Sequence, residues 1–216
     1  MSYVSVMQGR SGFGEIDALR RMRRGVLYLL IAWLIMVVAV ATVFTSFIVS
    51  IPGFIRVRGP PSFTSIPPGV VVALVLLVIG VVIALVGFYV EFIPGVTGLA
   101  RVRSEFSTPA QLIRLGYIVG LLLVLIGIPL ILVVIGVFVI LVGMVFLIIG
   151  FIGVVILCFK LNDVYSNTLY LVAGILFIVG IFIHILEVLA WILLYIALGK
   201  TIRKLEATQL PIQPPV

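Results

Sequence analysis

The stretch Leu115–Phe159, LGYIVGLLLVLIGIPLILVVIGVFVILVGMVFLIIGFIGVVILCF, decides the fold. It lies between Arg114 and Lys160 and runs for 45 residues without a charge. As a single helix it would be roughly 68 Å long at about 1.5 Å per residue. A bilayer core is only about 30 Å thick. The run is too long for one span and too apolar for a soluble domain, so it must fold back as two membrane helices joined by a tight turn. The natural break is Ile135-Gly136, giving spans of about 112–134 and 137–159. Pro129 falls within the first of these, where a proline kinks a helix.

The rest of the chain agrees. Of its 216 residues, 64% are hydrophobic and 10% charged, whereas soluble domains carry about 45–50% and about 25%. No stretch is long enough and polar enough for a separate soluble domain. The net charge of +7 invites a nucleic-acid reading. However, the basic residues flank apolar runs, which is the pattern of a membrane topology signal, so no nucleic-acid partner is expected. Cys158 stands alone and can form no intramolecular disulfide.

Working outward, Gly25–Ser50 follows a basic cluster of Arg20, Arg21, Arg23 and Arg24. This run is too long for a signal peptide and lacks a convincing cleavage site, so it reads as a retained span of 25–50. The next run, 69–93, is bounded by Pro67-Pro68 and Pro94-Gly95. After Lys160, the segment Val164–Gly199 carries no charged or imidazole side chain other than His184 and Glu187. As one helix it would be roughly 54 Å long. As two, it gives short spans of about 165–183 and 187–203.

The positive-inside rule chooses between these. Six spans place Arg10, the four clustered arginines, Arg101, Arg103, Arg114, Lys160, Lys200, Arg203 and Lys204 inside, with Arg56 and Arg58 outside, 12 against 2. Five spans move the last three basic residues out, giving 9 against 5. The expected fold is therefore an all-α integral membrane protein with a bundle of six transmembrane helices. The alternative is five, with one long final helix. Residues 1–24 form a cytoplasmic segment with a short interfacial amphipathic helix, 25–203 the bundle, and 204–216 a cytoplasmic tail. Tyr28, Tyr89, Tyr117, Tyr165 and Tyr170 fall near the inner ends of their spans, as interfacial tyrosines should.

Three features are candidates for function. In Ser11–Arg24, the residues Phe13, Ile16, Leu19 and Met22 recur every three positions with arginines between them. Such a segment serves topology, or lets Arg20, Arg21, Arg23 and Arg24 contact anionic lipid headgroups. Glycines recur at sevenfold spacing: Gly80 and Gly87, Gly120 and Gly127, then Gly136, Gly143 and Gly150. Each set lies along one helix stripe and lets backbones approach closely, within one protomer or at an oligomer interface or lipid groove. Leu77–Gly87 and Val133–Gly143 also match at seven of eleven positions, which raises an internal repeat. Third, His184 and Glu187 share a helix face at the outer turn, as a solvated hairpin or a proton or cation site. Glu91, close to the inner end of its span, reads as interfacial.

What is missing points away from chemistry. One histidine and one cysteine cannot build the common zinc or haem sites. No phosphate-binding glycine loop follows a strand, and no span carries a row of charges. No catalytic residue, metal or cofactor is expected, and the chain is not expected to be an enzyme. The leading function is a membrane scaffold or accessory subunit, with membrane lipids and either itself or another membrane protein as partners. A small permease or channel is the alternative.

Several segments together carry a family resemblance: Ile16-Asp-Ala-Leu-Arg-Arg-Met-Arg-Arg-Gly entering the first span, the glycine-spaced hairpin, Lys160-Leu-Asn-Asp-Val-Tyr, and Leu-Gly-Lys-Thr-Ile-Arg-Lys around Lys200. Over roughly residues 12–206 the chain resembles the archaeal multi-pass membrane family catalogued as domain of unknown function 973. The resemblance implies an archaeal, thermophilic cell membrane and brings no activity or catalytic residues with it.

Overall fold

The computed structural model describes residues 3–56 and 68–209. Six helical rods account for nearly all of them, and no strand occurs among the described residues. The first is α1, Tyr3–Arg56. The second is continuous from Pro68 to Val102 and comprises α2 (Pro68–Leu85), a π-helical turn (Val86–Phe92) and α3 (Ile93–Val102). The others are α4 (Ser107–Leu130), α5 (Ile135–Tyr165), α6 (Thr168–Gly180) and α7 (His184–Gln209). Five rods are long and apolar enough to cross a membrane, and α6, with 13 residues, is the short one.

The long uncharged run forms an antiparallel hairpin of α4 and α5, closed by glycine rungs. Gly116 faces Gly150, Gly120 faces Gly143, and Gly127 faces Gly136. A Cβ added to Gly120 would lie 3.0 Å from the Gly143 carbonyl oxygen, and one on Gly127 would lie 3.1 Å from that of Gly136. Lipid tails are as apolar as leucine, so close backbone approach, rather than water exclusion, holds such a pair. Pro129 falls in the last turn of α4 and does not kink its middle. Having no N–H to donate, it lets the helix end at Leu130 and tighten through a 3-10 turn, Ile131–Val133. Val134 closes the hairpin at φ 64°, a strained conformation for a β-branched residue.

A second hairpin, α1 with α2, repeats the principle with mixed small residues. Gly25, Ala32, Ala39 and Ser46 are seven apart on α1. A Cβ on Gly87 would meet Tyr28 and the Gly25 carbonyl, one on Gly80 would lie near Ala32, and one on Gly69 would run into Ser46. Ala39 and Ala73 are both buried. Gly80 is the loosest of these positions, because its nearest atoms are side-chain carbons, Met36 Cγ at 3.3 Å and Ile35 Cγ2 at 3.4 Å. Alanine there also gains about 0.5–1 kcal/mol of helix preference. Gly80→Ala should therefore leave thermal unfolding in detergent unchanged or slightly raised.

Both hairpins run tip to base along α2 and α5, so the matching segments of the internal repeat are not inverted. They also lie at different depths. Gly136 sits at its hairpin turn, whereas Gly80 is twelve residues into α2.

At the base the six rods close into a ring: α1 packs on α3, α3 on α4, α4 on α5, α5 on α6, α6 on α7, and α7 on α1. Leu19, Met22, Phe92, Leu99, Phe106, Ile113, Leu161, Tyr170, Phe177 and Leu198 fill its interior, fully buried. The basic N-terminal segment belongs to this base. It continues into α1 without a break, and its apolar residues Ile16, Leu19 and Met22 face the protein core. Away from the base, the α1–α2 and α4–α5 hairpins are not packed extensively on each other. Leu74, Val75, Leu77 and Val78 on α2, and Leu122, Leu125 and Ile126 on α4, are exposed, so each arm is packed on its seam side alone.

The final region is two antiparallel helices, not one long one, and this third hairpin is shorter. The Phe177 ring lies 4.9 Å from Trp191 and 6.1 Å from Phe151. Six residues carry α6 from Phe177 to its turn at Ile183, and sixteen separate Phe151 from Ile135 at the top of α5. By helix rise these are about 9 Å and about 24 Å, so the α6–α7 turn stops about 15 Å short of the α4–α5 turn.

Candidate functional site

Polar side chains gather at the base. Glu15 is buried because it shares a helix face with Leu19 and Met22, four and seven residues on. Arg103 Nε donates to its Oε1 at 2.8 Å, and the Tyr165 hydroxyl donates to the same oxygen at 2.6 Å. Arg103 can reach because α3 ends at Val102 and Arg103 itself is extended (φ −131°, ψ 113°). Its guanidinium also lies 5.8 Å from the Tyr165 ring centre. The trio thus ties α1, the α3–α4 link and the end of α5 together. A second set joins α6 to α7. The Tyr170 hydroxyl donates to Thr201 Oγ1 at 2.9 Å, and Asn167 caps α6 by accepting from the Leu169 N–H at 3.3 Å while its Nδ2 donates to the Ala197 carbonyl at 3.4 Å.

The four clustered arginines each have a protein partner. Arg20 pairs with Glu206 of α7 at 2.6 Å, and Arg21 with Asp17 one turn back at 3.4 Å. Arg23 stacks 4.5 Å from the Tyr195 ring centre and donates to its hydroxyl at 3.2 Å, while its Nε is buried without a hydrogen-bond partner. Arg24 approaches Glu91 at 3.4 Å, near enough for an ion pair but without hydrogen-bond geometry. Glu91 lies in the π turn, where Gly25 crosses Gly87 and a Cβ on Gly25 would come within 2.7 Å of the Gly87 oxygen and the Phe92 nitrogen. Helical π turns recur at functional positions.

His184 is exposed at the start of α7, Glu187 is partly buried beneath Gly180, and neither a hydrogen bond nor an ion pair joins them. Glycines 80, 87, 120, 127, 136, 143 and 150 are all buried within the two long hairpins. Cys158 is a buried thiol at the α5–α6 contact, and a Cβ on Gly174 would lie 3.2 Å from the Cys158 Cβ. Tyr89 donates to the Tyr117 carbonyl at 2.9 Å, so with Tyr165 and Tyr170 three of the five inner tyrosines bond within the base.

Sequence reading missed the Glu15–Arg103–Tyr165 trio and the glycines Gly25, Gly116 and Gly153. Glu15 did carry a signal, as a carboxylate on the apolar stripe of its helix. Gly25 also carried one, as the first of four small residues seven apart.

Glycine-zipped apolar arms rising from a polar, aromatic base define an all-α integral membrane protein. More narrowly, a family model described as a protein of unknown function, DUF973, matches residues 15–215, and the chain belongs to that family. Comparison with curated proteins and with solved structures gives no match.

Proposed function

We propose that the chain is a non-enzymatic scaffold or accessory subunit of an archaeal cell membrane, with both termini on the cytoplasmic face. The observation that carries this reading is the division of labour in the fold. Polar groups are spent on holding six rods together at the base, and two long arms are left apolar on every side but the seam. Such arms offer surface to neighbouring transmembrane helices, from a second copy or another membrane protein, as well as to lipid. The 12-to-2 distribution of basic residues supports the orientation.

Purification in a mild detergent from native membranes, followed by native mass spectrometry, tests the proposal. A defined oligomer or a constant co-purifying membrane protein is the expected result. A monodisperse monomer without a partner would overturn it.

A further inference from the structure

Beside the polar trio, the α5–α6 link and α7 line an open cavity of about 470 Å³. Such a volume lies within the roughly 300–1,000 Å³ typical of small-molecule sites. Arg103, Lys200 and Lys204 line it, together with the hydroxyl residues Ser166, Thr168 and Thr201, and among the described residues no carboxylate does. Arg103 is half committed to Glu15, but the lysines are not. The four ion pairs among the described residues all use other cations, leaving both lysines without an acidic partner. Ser166 adopts the left-handed conformation (φ 50°), ending α5 with its N–H on the Asn162 carbonyl at 2.8 Å. The chain then restarts as α6 with Thr168 at the cavity wall, which adds the positive end of a helix dipole to the lysine charges.

The approach to this cavity is apolar. Ile192 and Ile196 are exposed on α7 and precede Lys200 and Lys204 at steps of four residues, so each neighbours the next along the helix surface. An alkyl chain lying on the isoleucines would bring a charged headgroup to the lysines. We propose that this cavity binds the phosphate group of a membrane lipid, with Lys200 and Lys204 as its charge contacts and the Ile192–Ile196 surface as the chain's rest. The inference does not depend on the scaffold reading, since it concerns a different face of the molecule.

The test uses the full chain in detergent, titrated with dihexanoyl phosphatidylglycerol, glycerol phosphate and inorganic phosphate. Basic residues near a membrane surface contribute about fivefold each in affinity. Lys200→Gln with Lys204→Gln should weaken binding of the lipid about thirtyfold. Arg101→Gln with Arg203→Gln removes two exposed charges that lie outside the cavity lining and should change it by less than about twofold. Equal losses in both double variants would reduce the effect to general surface charge and overturn the site. Glycerol phosphate or inorganic phosphate binding as tightly as the lipid would overturn the lipid as occupant and assign the cavity to a soluble phosphate compound. All four side chains are exposed, so the variants should elute as the parent does.

Discussion

Gly116→Ala should lower the unfolding temperature by about 6–12 °C. The added methyl group would overlap the backbone nitrogen and Cα of Gly150 and come within 2.7 Å of the Phe146 carbonyl oxygen. All three are main-chain atoms, so no rotamer change relieves the contact, and α4 and α5 must move apart. Overpacking costs about 1–3 kcal/mol in general, and a backbone obstacle puts this position near the top of that range. For a chain of this size about 1 kcal/mol shifts the midpoint by about 2–4 °C. Gly98→Ala is the matched control, because its nearest neighbour, Ala18 Cβ, would lie at 3.5 Å, an ordinary contact. That variant should unfold at or slightly above the parent temperature. If the two variants proved equally stable, α4 and α5 could not be in backbone contact at this rung.

The second large effect is expected at Arg103. Arg103→Met leaves the buried Glu15 carboxylate with the Tyr165 hydroxyl alone. Stripping one partner from a buried charge costs about 3–5 kcal/mol. The Arg103 side chain is 39% exposed, so solvent screening brings the expectation down to about 2 kcal/mol. Adding Glu15→Gln to Arg103→Met should restore part of the loss, because the unpaired charge is then gone. Thermal unfolding of the two single variants and the double variant gives the coupling directly. Strict additivity would mean that Glu15 does not rely on Arg103.

Much of the fold was legible in the sequence because bilayer thickness is a severe ruler. It forced Leu115–Phe159 to turn, and the expected break at Ile135-Gly136 falls where α5 begins, at Ile135. It also called for two helices after Lys160, and the glycine periodicity marked stripes that lie on two of the seams. The base was harder to read because it is assembled from long-range contacts that no periodicity reports. Glu15 meets an arginine 88 positions away and a tyrosine 150 positions away. Three of the four clustered arginines looked free in the sequence because their partners are distant in the chain, Glu206 and Tyr195 on α7 and Glu91 in the π turn, whereas Asp17 sits one turn from Arg21 on α1 itself. Val86–Phe92 gave no sign of a π turn, since its apolar composition suits any helical winding. Gly116 stands outside the sevenfold series and draws its meaning from Gly150 across the seam.

The facing rungs have a consequence for how such a chain can vary in length. One residue inserted into α5 between Gly136 and Gly143 would turn everything beyond it by about 100°. The remaining glycines would leave the seam, and bulky neighbours would replace them against α4. An insertion in the turn at 131–134 or in the links at 103–106 and 166–167 would leave every rung in register. Within this family, gains and losses of single residues should therefore accumulate at the bends, while the distances between glycines along each arm stay fixed. Helix length should then change in steps of whole rungs, with the turns absorbing the remainder.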